Sequence, residues 1–453
     1  MTDLALKEKI LCRDQAVPRY TSYPAAPHFK DGFDKYTYES WLKVLPENSA
    51  VSLYIHVPFC SQMCFYCGCH TKITQQYQPI TAYVYLLKIE AERLSFLIPK
   101  SCRITHLHFG GGSPTILESD DFLAFMSELR GLFHFDPACE IAIEADPRQM
   151  TEQRIAAYAT AGVNRMSLGV QDFHQPTMES INRAQPFALT QNAVHLLHQY
   201  GIKRINFDLM YGLPFQTEET IRNTMQQALA LQPDRVSFFG YAHVPWMKKH
   251  MQLMPANLPD QNVRYDLALA GAKVLEEAGY QAIGIDHFVH PGDTMNESLR
   301  THTLKRNFQG YTTDDATVLI GLGASSISKL PQGYVQNTPH NVLYKQALSE
   351  AHLPVVRGLK LSDNDRMWGE IIEELMCYLR VDLKKIAADY FVPRYLFHDI
   401  LDYLLPLQND GLLTIDDEVI TINPQARQVT RVVCSAFDRY LTVSTTPRHS
   451  KAV

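Results

Sequence analysis

Four of the nine cysteines fall between positions 60 and 69, in PFCSQMCFYCGC, where Cys60, Cys64 and Cys67 form C-x3-C-x2-C and Cys69 follows. Three thiolates in one short loop can ligate three irons of a cubane cluster and leave the fourth iron open. Two other chemistries use the same residues. A structural zinc site could take all four thiolates, although such sites usually draw two pairs from separated segments. A redox dithiol could use Cys64 and Cys67, which leaves Cys60 and Cys69 without a role. An odd cysteine count clustered this way is no disulfide framework for 453 residues and suggests metal in a reducing compartment. Cys12, Cys102, Cys139, Cys377 and Cys434 are scattered and should pack as small hydrophobes.

The elements that must hold this loop are legible as alternating strands and helices. Strands are expected at 51–57, 104–109, 140–145, 165–170, 204–210, 235–241 and 281–286, with amphipathic segments such as TAYVYLLKIEAERLSFL and EETIRNTMQQALAL between them. Repeated strand-helix units imply parallel strands with helices outside, in an open sheet or a complete or partial barrel. Nearly every strand ends in an unusual group: Cys60, then Gly110 to Gly112, Glu144 with Asp146, Gln171, Asp208, and Ala242 with His243. Such residues converge at the C-terminal mouth of a barrel, where chemistry is built. A barrel-type mouth fits better than an open sheet with one crevice.

The cysteine spacing resembles the signature of radical S-adenosylmethionine (SAM) enzymes, in which the open iron chelates the amino and carboxylate groups of SAM. HFGGGSPT follows the next strand, and its consecutive glycines could bring backbone N–H groups close to that ligand. The likeness then becomes specific. PRYTSYP, SLYIHVPFC, CFYCGC, HFGGGSPT, IEADPR, SLGVQDF, INFDLMYGLP, YAHVP, RNFQGYTT and GASSIS occur in the order found in the oxygen-independent coproporphyrinogen III oxidase family, over essentially the whole chain.

That resemblance implies an α/β fold, a radical SAM (partial) β/α barrel with an N-terminal arm and a mainly helical C-terminal domain containing a small β-hairpin. It implies that two propionates of coproporphyrinogen III become vinyl groups, giving protoporphyrinogen IX in haem biosynthesis without oxygen. A propionate β-hydrogen is not acidic, so general-base catalysis gives little purchase and a cofactor-derived radical is needed. One 4Fe-4S cluster on Cys60, Cys64 and Cys67 and two SAM molecules are implied. Tyr54, Gly111, Glu144 and Ile327 match contacts of the cluster-bound SAM; Tyr66, Gly112, Ser113, Gln171, Arg183, Asp208 and Ala242 match the second. Cys69 and Gln309 match catalytic or active-site positions. Carboxylates at Glu144 and Asp208 suit ammonium or ribose hydroxyls, and Arg183 suits a carboxylate. Being remote in sequence from the cysteine loop, Arg183 and Asp208 are expected to leave cluster assembly unaffected. Ser113 stands where the family usually has Thr, Tyr66 where Phe is common, and GYAHVPW where NYAHLP is commoner. Related chaperones bind haem, and related radical SAM enzymes open the haem ring. The complete C-x3-C-x2-C-x-C motif and the PRYTSYP arm favour the oxidase.

A net charge of -6 gives no broad attraction to nucleic acid. The N-terminus has no signal-peptide core and no apolar run reaches spanning length, so a cytoplasmic protein is expected. The domains are read as an arm (1–47), a catalytic barrel (48–350) and a C-terminal domain (351–453). In the last, Ser362 and Asp365 form a capping box, and GLLTIDDEVITINP forms a hairpin turning at Asp416-Asp417. The helix-hairpin-helix order resembles a winged helix, but the acidic hairpin tip would repel phosphate, so packing or a lid is expected. A monomer is expected, served by an electron donor of reductase or flavodoxin-like type.

Overall fold

A computed structural model of the chain describes residues 3–441. Seven parallel strands form its central wall: β1 (Ala50–Val57), β2 (Arg103–Gly111), β3 (His134–Ala145), β4 (Arg165–Gln171), β5 (Arg204–Tyr211), β6 (Arg235–Gly240) and β7 (Val318–Leu322). Their spatial order is β7-β1-β2-β3-β4-β5-β6. Beyond β6 the sheet continues antiparallel through His287–Val289 and Gln281–Ile283. Beyond β7 it continues through Ile327–Leu330, Gly333–Asn337, Val355–Lys360 and Lys30–Asp31. The two ends of this 13-stranded sheet do not pair, so the barrel is partial.

The parallel strands form where β-branched and aromatic residues are buried on both faces, which is what helices packed outside require. Ile55, Val57, Phe109, Ile143, Leu168, Leu209 and Val236 share one core with the covering helices. Those helices start on side-chain caps: Thr217 accepts from Thr220 before Glu218–Ala230, and Asp260 accepts from Val263 before Gln261–Glu277.

Six of the seven expected strands are parallel wall strands; the segment 281–286 is not. It keeps strand form only over Gln281–Ile283, because Gly284 lies at φ +53°, where a Cβ would come within 2.0 Å of the Tyr311 ring. The chain turns back there and pairs antiparallel, Gln281 opposite Val289. Val318–Leu322 supplies the seventh parallel strand, against β1.

A second core joins the two termini. Leu6, Ile10, Tyr20 and Tyr23 pack with Met367, Trp368, Ile371, Leu375, Phe397 and Ile420. Arg431 fastens this arm, its Nη2 donating to the Val17 carbonyl at 2.7 Å. The helix Asp363–Tyr378 opens on the Ser362–Asp365 capping box as expected. The hairpin strands Leu413–Asp416 and Val419–Ile422 turn at Asp417-Glu418, one residue later than the sequence suggests, since those two residues adopt positive φ. Arg380–Asp382 adds a third strand. The acidic tip is neutralised locally: Lys384 pairs with Asp417, and Arg394 Nη2 lies 2.8 Å from Glu418. The final stretch of the C-terminal domain, 442–453, lies outside the described residues. Among those described, no helix is long and apolar enough to cross a membrane.

Candidate active site

The cysteine loop leaves β1 through the two-residue strand Phe59–Cys60, which pairs with Lys72–Ile73. Backbone and side-chain bonds tie it to the rim: Phe65 N–H donates to the Ile181 carbonyl at 3.0 Å and Asn182 Nδ2 to the Met63 carbonyl at 2.8 Å. Lys248 Nζ donates to the Cys69 carbonyl, and His250 Nε2 lies against the Cys67 carbonyl, both at 2.8 Å. The loop walls a cavity of about 640 Å³ at the C-terminal ends of the strands.

All nine cysteines are free thiols. Of the scattered five, four are buried as expected; Cys12 is exposed, its thiol near the Lys9 carbonyl. Around the loop the sulfurs meet donors. Thr71 Oγ1 is 3.2 Å from Cys60 Sγ, while Arg183 Nη1 and Arg148 Nη2 are 3.5 and 3.8 Å from Cys64 Sγ. Burial pushes the Cys60 thiol up to about 11 despite Thr71, whereas a hydrogen bond from Cys69 holds Cys67 down to about 6. Among the described residues no three His, Cys, Asp or Glu side chains converge for a single ion. A cubane is held differently, each thiolate on its own iron, and donors to sulfur tune it. Three thiols around one cavity, two of them facing cationic or hydroxyl donors, fit that group.

The same cavity is lined by Tyr66, Cys69, Gly111, Gly112, Ser113, Glu144, Gln171, Arg183, Asp208 and Ala242. Glu144 accepts from His108 Nε2 and from the Gly111 N–H, each at 3.2 Å. Burial would raise its pKa, but the His108 bond and charge hold it below the usual carboxylate range. Asp208 has only neutral donors, Ser167 Oγ and Asn206 Nδ2, both at 2.9 Å. Burial and the Glu144 charge push it up to about 6. Arg183 is buried, with Nη2 on the Gly169 carbonyl at 2.6 Å and Asp146 at 3.4 Å, and its Nε has no partner among the described residues.

Several expectations change here. The glycine loop does not offer free N–H groups: Gly111 donates to Glu144, Gly112 to the Val57 carbonyl and Ser113 to the Phe59 carbonyl. Its glycines are needed for close packing instead. A Cβ on Gly112 would lie 2.7 Å from the Phe59 carbonyl oxygen, and Gly111 sits at φ +119° with a Cβ position 2.8 Å from His56. Arg183 is remote from the cysteines in sequence yet touches Cys64. Tyr54, half-buried, flanks Gly110 together with Glu144 and stacks on His108 at 5.9 Å between centroids. Ile327 lies on the sheet's antiparallel extension and lines neither described cavity. Gln309 lines a second, adjoining cavity rather than this one. Sequence reasoning gave no role to Arg148, His108, Thr71, Lys248 or His250. Arg148 is visible in IEADPR and His108 in HFGGGSPT; Thr71, Lys248 and His250 carry no local signal.

A strand rim with three thiols beside a glycine-walled, carboxylate-lined cavity defines the radical SAM class, and the Radical SAM superfamily profile matches residues 54–228. The chain is similar to oxygen-independent coproporphyrinogen III oxidase of Bradyrhizobium diazoefficiens, 44% identical over 97% of this chain and 98% of that protein. The namesake of Cereibacter sphaeroides is 40% identical over 98% of each chain. Among solved structures, coproporphyrinogen III oxidase from Escherichia coli, a radical SAM enzyme, superposes with a TM-score of 0.89 at 34% identity, covering 94% of this chain and all of that one. The chain belongs to the oxygen-independent coproporphyrinogen III oxidase family. Membership implies a 4Fe-4S cluster and SAM.

Proposed function

We propose that the protein converts two propionates of coproporphyrinogen III to vinyl groups without oxygen, releasing two carbon dioxides and giving protoporphyrinogen IX. The observation that carries this reading is the gathering of Cys60, Cys64 and Cys67 with Glu144, Arg183 and Asp208 around one cavity. When bound, the cluster and SAM supply the radical that removes an unactivated hydrogen. The three thiolates hold the cluster. Glu144, kept ionised by His108 and the Gly111 N–H, accepts from the ammonium or hydroxyls of SAM on the cluster. Tyr54, stacked on His108 beside Glu144, and Ile327 contact the same SAM.

Arg183 and Asp208 hold a second SAM together with Tyr66, Gly112, Ser113, Gln171 and Ala242, one cation and one carboxylate matching the charges of an amino acid. Asp208 is ionised at pH 7, above its value of about 6. Cys69 is exposed at the loop's end and acts without ligating iron, as Gln309 acts from the adjoining cavity. We also read the chain as a cytoplasmic monomer of arm, barrel and C-terminal domain, served by a reductase or flavodoxin-like donor.

The experiment is anaerobic incubation with SAM, a reductant and coproporphyrinogen III, followed by product analysis. Protoporphyrinogen IX with release of carbon dioxide is expected. Stable haem binding without SAM consumption, or attack on haem in place of coproporphyrinogen, would replace this reading by a chaperone or a haem-opening enzyme.

A further inference from the structure

Beside the cysteine-lined cavity lies another of about 630 Å³, and the two share Arg19, Phe239, Gly240, Tyr241 and Ala242 as a common wall. Four guanidinium groups face this second space, from Arg19, Arg264, Arg306 and Arg431, against the single carboxylate of Asp286. That carboxylate is engaged by His287 Nδ1 at 2.7 Å. Arg264 is fixed by donating to the Tyr241 carbonyl at 2.7 Å, and Arg431 by donating to Val17 and Pro18 of the arm.

Arg306 differs from these. It is 9% exposed, stacked 4.3 Å from the Tyr311 ring centroid and within reach of the Asp286 charge, yet its Nη2 is 3.5 Å from the Arg19 carbonyl and its Nε and Nη1 have no hydrogen-bond partner among the described residues. A buried guanidinium with open donors is costly unless an anion completes it. The wall also carries the aromatic side chains of Tyr211, Phe239, Trp246 and Phe308, among neutral polar groups such as Gln261 and Gln309. Cationic forks set among aromatic faces suit an amphipathic carboxylate whose body is built of methyl-bearing aromatic rings. A phosphate or inorganic ion would make no use of the aromatic wall.

We propose that this second cavity seats the propionate carboxylates that are not being attacked, with Arg306 as the buried anchor and Arg19, on the wall shared with the cysteine cavity, as the outer one. The proposal rests on the reading of the substrate as a porphyrinogen. It gives PRYTSYP and RNFQGYTT a shared role, since Arg19 and Arg306 meet because the arm is pinned by Arg431 against the hairpin that also carries Gln309. The propionate nearest the shared wall is the one presented to the cysteine cavity.

The test uses the full chain, anaerobic and iron-loaded, with coproporphyrin III as a fluorescent, unreactive probe and its tetramethyl ester as the uncharged control. The acid should bind and the ester should bind at least about tenfold more weakly. Arg306→Gln and Arg19→Gln should each weaken the acid by about ten- to a hundred-fold, the worth of one charge-assisted contact. In turnover, KM for coproporphyrinogen should rise more than kcat falls, with iron content unchanged. Arg306→Lys should recover part of the loss. Should Arg306→Gln fail to fold, the exposed Arg19→Gln carries the test alone. Equal binding of acid and ester, or unchanged affinity and KM in the Gln variants of an active enzyme, overturns the clamp. A wild type that neither binds coproporphyrin nor turns over overturns the proposed function itself, and the clamp with it.

Discussion

The two ends of the strand wall both bury charge, and they dispose of it differently. At the N-terminal ends, Arg165 Nε lies 3.0 Å from Glu140 and Arg235 Nη2 lies 2.8 Å from Asp293, with Arg165 and Asp293 3.9 Å apart. Arg204 Nη1 joins them at 3.4 Å from Glu140, so each of these acids has a guanidinium against it, although the three Arg165 nitrogens make no well-aligned hydrogen bond among the described residues. At the C-terminal ends, by contrast, Asp208 has no cation among its hydrogen-bond partners. Perturbed ionisable groups gather at functional sites, and a buried acid with no cation beside it separates such a site from a structural ion-pair network. The floor acids are ion-paired; Asp208 at the rim is not.

The largest effect is expected at the floor. Asp293→Ala would leave Arg235, and in part Arg165, buried without a counter-ion, and should destabilise the protein by about 3–5 kcal/mol. Chemical denaturation measures this, and a loss under about 1 kcal/mol would mean that Asp293 is not the buried counter-ion of Arg235.

Next comes Asp208. Its folded pKa, about 6, lies above the ordinary 3.8, so between those values the folded chain holds a proton that the unfolded chain has released. Its contribution to stability therefore falls as pH rises through that window. Asp208→Asn should gain on wild type by about 2.4 kcal/mol between pH 4 and pH 7, read as unfolding free energy at each pH without SAM. A pH-independent difference would remove the uncompensated carboxylate from the rim.

The smallest effect concerns Arg183. Arg183→Gln should lose SAM affinity by about ten- to a hundred-fold. Because the guanidinium also meets Cys64 Sγ, the variant should retain less iron than Asp208→Asn does. Full iron in both would confine Arg183 to ligand binding.

Why the rim was largely legible, and the floor was not, follows from range. The cysteine loop, the Ser362–Asp365 cap and six wall strands announce themselves within a few residues. β7 does not, since Val318–Leu322 is specified by pairing with Ala50–Val57, far away in the chain. The strand reading at 281–286 fails at the positive φ of Gly284, where the Tyr311 ring leaves no room for a Cβ. The glycine loop was recognised for the wrong reason, because the partners that occupy its N–H groups, Glu144, Val57 and Phe59, come from three other places. Arg183 reaches Cys64 only because Asn182, at φ +54°, turns the chain after the short helix Gln175–Ser180.

The central claim is that Cys60, Cys64 and Cys67, and not Cys69, hold a cubane cluster. The direct measurement is iron, sulfide and zinc per chain in anaerobically isolated wild type and in the four single Cys→Ala variants. About four irons and four sulfides are predicted for wild type and for Cys69→Ala, with the cluster lost in each of the other three. A colourless wild type carrying one zinc, or a Cys69→Ala variant as empty of iron as Cys60→Ala, would contradict it.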